Sequence, residues 1–207
     1  MTEALEALHQ EVRECRLCAL HLTRTRAVPG AGDPHAQIMI VGEGPGQNED
    51  QQGLPFVGAA GQLLNQLLAS VGINRDEVYI TNIIKCRPPG NRDPLPEEVA
   101  SCSAYLDRQV ELIRPAVILL LGRHAVQRLL PGAAGISRIH GQLVERGDRA
   151  YVPLYHPAAA LYNGFLVDTL KADFARVRGY IDLIEARRAA APPPDPAVDQ
   201  KEQLSLF

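Results

Sequence analysis

Ala116-Val117-Ile118-Leu119-Leu120-Leu121 is the most apolar run of the sequence, and Gly122 follows it directly. A second run, Ile38-Met39-Ile40-Val41, is also continuously apolar rather than alternating. Unbroken apolar runs of this length are typical of strands that are buried on both faces of a parallel sheet. The two runs therefore predict the centre of such a sheet, with helices covering both sides.

Segments of helical and strand-like pattern alternate around these two runs. The sequence predicts an α/β fold, a three-layer α/β/α sandwich with a mostly parallel central sheet, in one domain at residues 1–187. Residues 42–58, which are rich in glycine and proline, and the residues after His156 are predicted as loops. Helices are predicted at 2–14, 59–71, 96–113, 123–130 and 166–187, and further strands at 78–81, 142–145 and 151–155.

The composition is that of an ordinary globular protein, since 46% of the 207 residues are hydrophobic and 22% are charged. A net charge of -3 excludes a generally basic surface, so any contact with nucleic acid must be local. No apolar run approaches the roughly 20 residues of a membrane helix. Acids stand at Glu3 and Glu6, where a secretory signal would be basic. We expect a cytoplasmic protein without a membrane partner, associated with the nucleoid if it acts on DNA.

Three loops begin where predicted strands end, which is where ligands bind in sheets of this kind. Glu43 lies in the first, within Gly42-Glu43-Gly44-Pro45-Gly46, while Asn82 opens the second and His156 the third. Each feature has an ordinary structural explanation by itself: a tight turn, a capping asparagine, a structural histidine. Because the carboxyl ends of parallel strands meet at one edge, their combination predicts a site there.

Four motifs agree in order and spacing. They are Gly42–Gly46 with Gly53-Leu54-Pro55-Phe56-Val57-Gly58, then residues 81–94 (TNIIKCRPPGNRDP), then Cys102, then residues 155–161 (YHPAAAL). Together they resemble the motifs of family-4 uracil-DNA glycosylases over about residues 15–174. The resemblance implies the fold of that family. It also implies a DNA repair enzyme that flips uracil out of DNA and hydrolyses its N-glycosidic bond, leaving an abasic site for base excision repair.

The resemblance also assigns roles to single residues. Glu43 would be catalytic, ordering the hydrolytic water and stabilising the positive charge on C1′, and His156 would face O2 of uracil. Phe56 would stack on the extruded base, and Asn82 would hydrogen-bond its O4 and N3 edge. The remaining assignments are the backbone of Gly44 and Pro45 as pocket lining, Glu49 as the wall at C5 that excludes thymine, and Leu161 as the wedge in the DNA. Tyr162 stands where many members of the family carry an arginine.

These roles fit the chemistry of uracil. Asn82 would offer an acceptor to N3–H and a donor to O4, whereas cytosine presents the reverse pattern, and such a mismatch lowers the rate by several orders of magnitude. Uracil leaves with negative charge on O2, so a donor placed there stabilises the transition state. Lys85 is the only lysine in these loops. Water is therefore the expected nucleophile, and lyase chemistry through a Schiff base is disfavoured.

The four cysteines are Cys15, Cys18, Cys86 and Cys102. A C-x-x-C pair in a chain without an export signal indicates metal or redox chemistry rather than disulfides. Four thiolates suit either Zn²⁺ or an iron–sulfur cluster, and the residues alone do not separate the two. The resemblance implies a 4Fe–4S cluster. The cluster would brace a loop that meets phosphate, beside the basic residues Lys85, Arg87 and Arg92.

The end of the sequence changes character. Residues 188–202 are rich in alanine and proline and poor in large apolar residues, which predicts a disordered tether. The tether leads to Gln203-Leu204-Ser205-Leu206-Phe207, which is similar to the bacterial sliding-clamp-binding pentapeptide. We therefore expect two partners, uracil-containing DNA (single- or double-stranded) and a sliding clamp. The protein itself is expected to be a monomer.

Two other classes of function fit parts of the sequence. A non-catalytic iron–sulfur scaffold of the same fold that binds DNA would not need Glu43, Asn82 and His156 together. An electron-transfer or regulatory protein built on iron–sulfur or zinc would leave the base-pocket motifs without a purpose. The uracil-DNA glycosylase is therefore the leading hypothesis, with strand preference and activity on other deaminated bases left open.

Overall fold

A computed structural model describes residues 2–147 and 149–190, without the side chains of residues 185 and 188–190. The pentapeptide at Gln203–Phe207 and nearly all of the predicted tether lie outside the described residues. The strands are β1 (Ala31–Gly32), β2 (Ile38–Gly42), β3 (Val78–Asn82), β4 (Val117–Leu121), β5 (Val144–Arg146) and β6 (Arg149–Leu154). The α-helices are α1 (Glu3–Glu14), α2 (Gln47–Gln52), α3 (Ala59–Ser70), α4 (Pro96–Ile113), α5 (Arg123–Leu129), α6 (Ile136–Ile139), α7 (Pro157–Tyr162) and α8 (Phe165–Ala190).

One six-stranded sheet has the order β1-β3-β2-β4-β6-β5. The four central strands are parallel, with Ile40 of β2 opposite Ile80 on one side and Leu119 on the other. The two edge strands, β1 and β5, are short and antiparallel to their neighbours. The predicted mostly parallel sheet is therefore confirmed, and the ends of β2, β3 and β4 lie side by side.

Helices cover both faces of the sheet. Met39 and Val41 of β2 point into a core that α1 and α4 complete, whereas Ile38 and Ile40 point into a second core with α3 and α8. Both faces of the strand are buried, which is why its sequence is continuously apolar. The predicted three-layer α/β/α sandwich is confirmed. Within the described ranges, no helix combines the length and apolar character that crossing a membrane requires.

Two predicted loops contain short helices, so the loop predictions are wrong at those places. Helix α2 lies within 42–58 and has the sequence QNEDQQ, which offers no apolar periodicity to recognise. Helix α7 begins directly after His156, whose side chain caps it by accepting the Ala158 N–H. The last helix, α8, continues to Ala190, three residues past the predicted end of the domain.

Candidate active site and four-cysteine site

A cavity of about 340 Å³ opens beyond the carboxyl ends of the central strands. Glu43 follows β2, Asn82 ends β3, and His156 follows β6, so the three predicted loops do converge. Residues predicted to bind the base also line this cavity; they are Gly44, Pro45, Glu49 and Phe56. Parallel strands bring their carboxyl ends to one edge, which explains why residues distant in sequence meet here.

Asn82 is the deepest polar group of the cavity. The residue is 1% exposed, and its Oδ1 is the buried side-chain acceptor for which the described part of the chain supplies no hydrogen-bond donor. Gly42 lies beside it in register on β2. A Cβ at Gly42 would overlap Asn82 Oδ1 and come within 2.7 Å of the Phe56 ring. Glycine at this position therefore keeps room for both side chains.

Phe56 forms one wall of the cavity with its ring stacked on His156, at 5.6 Å between ring centroids. Its backbone has φ +52°, the left-handed region that non-glycine residues rarely adopt. Helix α3 fixes this conformation, because Gly61 packs so closely that a Cβ there would overlap the Phe56 carbonyl oxygen. Such a conformation costs about 1–3 kcal/mol and is typical of residues held in place at functional sites.

His156 is arranged as a neutral hydrogen-bond donor. Burial lowers its pKa to about 4, so the ring stays uncharged near neutral pH. Its Nδ1 accepts the backbone N–H of Ala158 at 3.1 Å. The proton of the neutral ring is therefore on Nε2, which remains to donate to a ligand.

Glu43 is only partly exposed, and burial raises the pKa of its carboxyl above the usual value of 4.5. The His124 imidazole lies 3.8 Å from Glu43 Oε2 and 3.6 Å from Asp93 Oδ2. Asp93 also pairs with Arg123. The three ligand atoms of Glu43, Asp93 and His124 lie within 4.8 Å of one another and could hold a cation. Because Arg123 already pairs with Asp93, we interpret the group as electrostatic support for Glu43.

Asp93, Arg123 and His124 were not among the predicted site residues. The sequence positions of Arg123 and His124 could have indicated a role in the site, because both residues follow β4 just as Glu43 follows β2. The rule that ligands bind beyond strand ends applied to this fourth loop as well. Asp93 comes from the proline-rich stretch before α4, where no local pattern indicates a contact with Glu43.

Glu49 borders the cavity, but its carboxylate is occupied by backbone donors. Oε1 accepts the N–H groups of Val57 and Gly58 at 2.9 and 2.8 Å, and Oε2 accepts that of Gly46 at 3.1 Å. The side chain thus joins α2 to the segment that carries Phe56. Its position at the wall is fixed by three hydrogen bonds rather than by packing alone.

Leu161 lies near the end of α7, outside the group of residues that line the cavity. Its side chain is 48% exposed, and the neighbouring Tyr162 and Phe165 are 92% and 89% exposed. Three large apolar side chains therefore face solvent where α7 ends and α8 begins. An exposed apolar group of this size beside a cavity is typical of a binding surface.

The four cysteines also converge, and all of them line one small cavity. Cys15 ends α1, Cys18 follows three residues later, Cys86 lies beyond β3, and Cys102 is on α4. Four thiolates that converge from separate segments can hold either Zn²⁺ or an iron–sulfur cluster.

Burial raises the pKa of Cys86, and raises that of Cys102 to about 11. These thiols therefore keep their protons until a metal group displaces them. Arg24 can stabilise the thiolate form of Cys86, because its Nη1 donates a hydrogen bond to Cys86 Sγ at 3.0 Å. Its Nη2 donates to the carbonyl oxygens of Arg13 and Cys15, at 2.9 Å each. The guanidinium thus links three parts of the cysteine site.

Lys85 was predicted to help a loop that meets phosphate, and for this residue the prediction is wrong. The side chain is 1% exposed, and burial lowers its pKa to about 8. Its Nζ donates to Thr81 Oγ1, the Asn82 carbonyl oxygen and Gln109 Oε1 at 2.6–2.7 Å. The Arg92 guanidinium forms an ion pair with Glu98. The burial of Lys85 also removes it as a nucleophile in the cavity.

Comparison with known proteins gives a consistent result. The family model of the uracil DNA glycosylase superfamily matches residues 29–178. A type-4 uracil-DNA glycosylase of Sulfurisphaera tokodaii is 46% identical over 185 residues, which cover 85% of this chain and 84% of that protein. The type-4 uracil-DNA glycosylase of Archaeoglobus fulgidus is 49% identical over 183 residues, covering 84% and 92%. That of Saccharolobus solfataricus is 45% identical over 183 residues, covering 84% and 85%.

Proposed function

The chain belongs to the uracil-DNA glycosylase superfamily, and we propose that it hydrolyses the N-glycosidic bond of uracil in DNA to leave an abasic site for base excision repair. The observation that carries the proposal is the buried Oδ1 of Asn82, an acceptor in the cavity to which none of the described residues donates. Uracil supplies that donor through N3–H, and the amide group of Asn82 can in turn donate to O4. Cytosine has an acceptor at N3 and a donor at N4, so it would leave both groups unpaired.

Departure of the base requires stabilisation of the charge that develops on O2. The Nε2–H of His156 is a neutral donor in the same cavity, preorganised by the Ala158 N–H and by the Phe56 ring. A fixed donor of this kind contributes more in the transition state, where O2 is anionic, than in the ground state. We therefore assign His156 to O2 and the Phe56 face to stacking on the flipped base.

Glu43 places a negative charge beside the sugar of the flipped nucleotide. As a carboxylate it orders the attacking water, accepts a proton from it and stabilises the positive charge on C1′. The nearby Asp93–Arg123 pair and His124 set the potential at this carboxylate. The backbone of Gly44 and Pro45 lines the pocket. Glu49 would exclude the C5 methyl of thymine from the position that its three backbone hydrogen bonds fix.

We propose a 4Fe–4S cluster as the group bound by Cys15, Cys18, Cys86 and Cys102. The support is the convergence of the four cysteines around one small cavity, together with the similarity to type-4 uracil-DNA glycosylases. When bound, the cluster supplies a covalent connection among α1, the segment after β3, and α4. Arg24 would donate a hydrogen bond to one of its thiolates.

DNA would be held at the surface beside the cavity. The exposed side chain of Leu161 is the proposed wedge that fills the space left by the flipped base, and Tyr162 adds an aromatic face next to it. We propose that the enzyme acts as a monomer on chromosomal DNA in the cytoplasm. The mild negative net charge implies that its contacts with phosphate are few and local.

The function is tested with purified holoenzyme and four matched oligonucleotides that differ at one position, which is uracil, thymine, cytosine or hypoxanthine. After alkali treatment we expect strand cleavage at uracil and none at thymine or cytosine. Cleavage at hypoxanthine measures whether the pocket also accepts a deaminated base other than uracil. The variant Glu43→Gln, prepared identically, controls for contaminating glycosylases and is expected to be nearly inactive. Absence of cleavage at uracil by an iron-loaded wild type would refute the proposal.

We also propose that Gln203–Phe207 binds a bacterial sliding clamp. The support is the sequence alone: a leucine, a second leucine and a phenylalanine follow a stretch of alanine and proline. A tethered motif raises the local concentration of the enzyme at DNA that carries a clamp. Deleting the last five residues is expected to abolish retention on immobilised clamp while uracil excision persists. Retention that is unchanged by the deletion would contradict the idea.

A further inference from the structure

Lys85 occupies an unusual position between the two sites. Its ammonium is almost completely buried, and all three of its acceptors are uncharged oxygens, from Thr81, Asn82 and Gln109. Lys85 also lines the small cavity that the four cysteines surround. A buried cation of this kind needs compensating negative charge, because transfer of an ammonium out of water costs several kcal/mol. The four-cysteine site is where that charge would come from.

The contacts of Lys85 reach both sites at once. On one side it lines the cysteine cavity together with Cys102, and Cys86 is the next residue in the chain. Its Nζ, on the other side, donates to the Asn82 carbonyl oxygen at 2.7 Å. Asn82 is the residue whose Oδ1 receives no hydrogen bond from the described residues and is proposed to read the base. One side chain therefore closes the turn between a cysteine ligand and the group that reads uracil.

The energetic consequence depends on the charge at the cysteines. Four thiolates around a 4Fe–4S core in its usual oxidised state carry a net charge of about -2, whereas protonated thiols carry none. Coulombic interaction with this charge is strong at short range in a buried site. The bound group therefore stabilises the ammonium in its place, and the ammonium holds the Asn82 backbone.

We propose that Lys85 is a positioning residue that couples the four-cysteine site to the recognition of uracil by Asn82. The inference rests on the proposed function, and it adds a role for the cluster beyond bracing the fold. Charge at the cysteines stabilises the position of Asn82 through Lys85. In return, the ammonium stabilises electrons on the cluster and raises its reduction potential.

The test compares Lys85→Met with wild type as iron-loaded, full-length proteins. Lys171→Met is the matched control, because Lys171 is 61% exposed and pairs with the exposed Asp168. We expect Lys85→Met to shift the cluster potential to a more negative value in a redox titration followed by visible absorbance. We also expect KM for a uracil-containing oligonucleotide to rise about tenfold, which corresponds to the loss of one charge-assisted hydrogen bond. The change in kcat should be smaller than the change in KM.

A second variant keeps the proposal testable if Lys85→Met fails to fold or to retain iron. Thr81→Val removes one acceptor of Lys85 but keeps its charge. It is expected to raise KM several-fold with the iron content and the potential unchanged. If Lys85→Met folds with the wild-type potential and the wild-type KM, or if Thr81→Val leaves KM unchanged, the coupling is refuted. An iron-loaded wild type that does not excise uracil would instead refute the proposed function, and the coupling with it.

Discussion

The base cavity and the four-cysteine site lie at opposite ends of the same short segment, residues 82–86. They differ in how far the hydrogen-bonding capacity of their polar groups is satisfied. In the cavity, Asn82 Oδ1 has no donor among the described residues, and Phe56 holds a costly backbone conformation. At the cysteines, the ammonium of Lys85 has three acceptors and Arg24 has three. The cavity has the features of a site that binds its ligand reversibly. The cysteine site has the features of one that binds its group permanently.

This difference predicts that a change at the cysteines affects the whole fold. Cys102→Ser removes a proposed ligand on α4, so we expect loss of the visible absorbance of the proposed cluster. The melting temperature should fall by about 10 °C or more, since a loss of about 4 kcal/mol corresponds to such a shift in a domain of this size. Ala104→Ser, an exposed change on the same helix, is the control. Unchanged iron content in Cys102→Ser would show that the cysteines do not share one group.

A change in the cavity should affect activity without harming stability. Asn82→Ala is expected to lower kcat/KM for uracil about a thousandfold or more, because the reading of N3 and O4 is lost. The same change deletes a buried acceptor without a partner, so the free energy of unfolding should stay level or rise by about 1 kcal/mol. Chemical denaturation beside the excision assay measures both. A large loss of stability would mean that Asn82 is structural, and the comparison would fail.

Gly42→Ala tests the same region through shape alone. The added methyl group would overlap Asn82 Oδ1 and press on the Phe56 ring, so kcat/KM is expected to fall about a hundredfold. Gly179→Ala is the matched control, because a Cβ there meets no atom within 4 Å. It should leave activity unchanged. Full activity in Gly42→Ala would contradict the close packing of Asn82 and Phe56 around the base.

Leu161→Ala sharpens the distinction between the cavity and the surface beside it. We expect excision from duplex DNA to fall about tenfold and excision from single strands to fall less, because only the duplex requires a wedge after the base has left. Leu183→Ala, a half-exposed leucine on α8, is the control. An equal loss on both substrates would argue that Leu161 supports the fold of α7 rather than wedging into DNA.

The smallest expected effect concerns pH. Burial raises the pKa of Glu43, so the active carboxylate form is lost as pH falls through a value above 4.5. The acid limb of kcat/KM should therefore lie above the pH at which a solvated carboxyl titrates. Asp93 raises this pKa further, so Asp93→Asn should move the limb to lower pH. Asp107→Asn, which removes a carboxylate that pairs with Arg128, should leave it in place.

Most of the fold and of the cavity was predictable from the sequence, for a physical reason. Strands buried on both faces, such as β2, must be apolar throughout, and the ends of parallel strands must meet, which brought Glu43, Asn82 and His156 together. Helices α2 and α7 escaped prediction because each is six residues long. The helix α2 has no apolar face, and α7 depends on a cap from His156. Local pattern carries little information about helices this short.

The contacts of charged residues with partners distant in sequence could not be predicted from the sequence. A basic residue beside a cysteine suggested contact with phosphate, yet Lys85 is buried against Gln109, which lies on α4. Likewise, Asp93 approaches Glu43 from the segment before α4, and His124 approaches it from the first turn of α5. Charge pairs of this kind depend on tertiary distance, for which these residues carry no periodicity or motif.

The edge strands have a consequence for how the protein behaves among other molecules. Strands β1 and β5 are two and three residues long, and each runs antiparallel to the strand beside it. A strand so short exposes few free backbone N–H and C=O groups along the border of the sheet. The parallel interior, whose sequences are the most prone to self-association, is thereby shielded from pairing with a foreign chain. At high protein concentration, such a sheet is less prone to aggregation, because its edge strands leave few backbone groups with which another chain could pair.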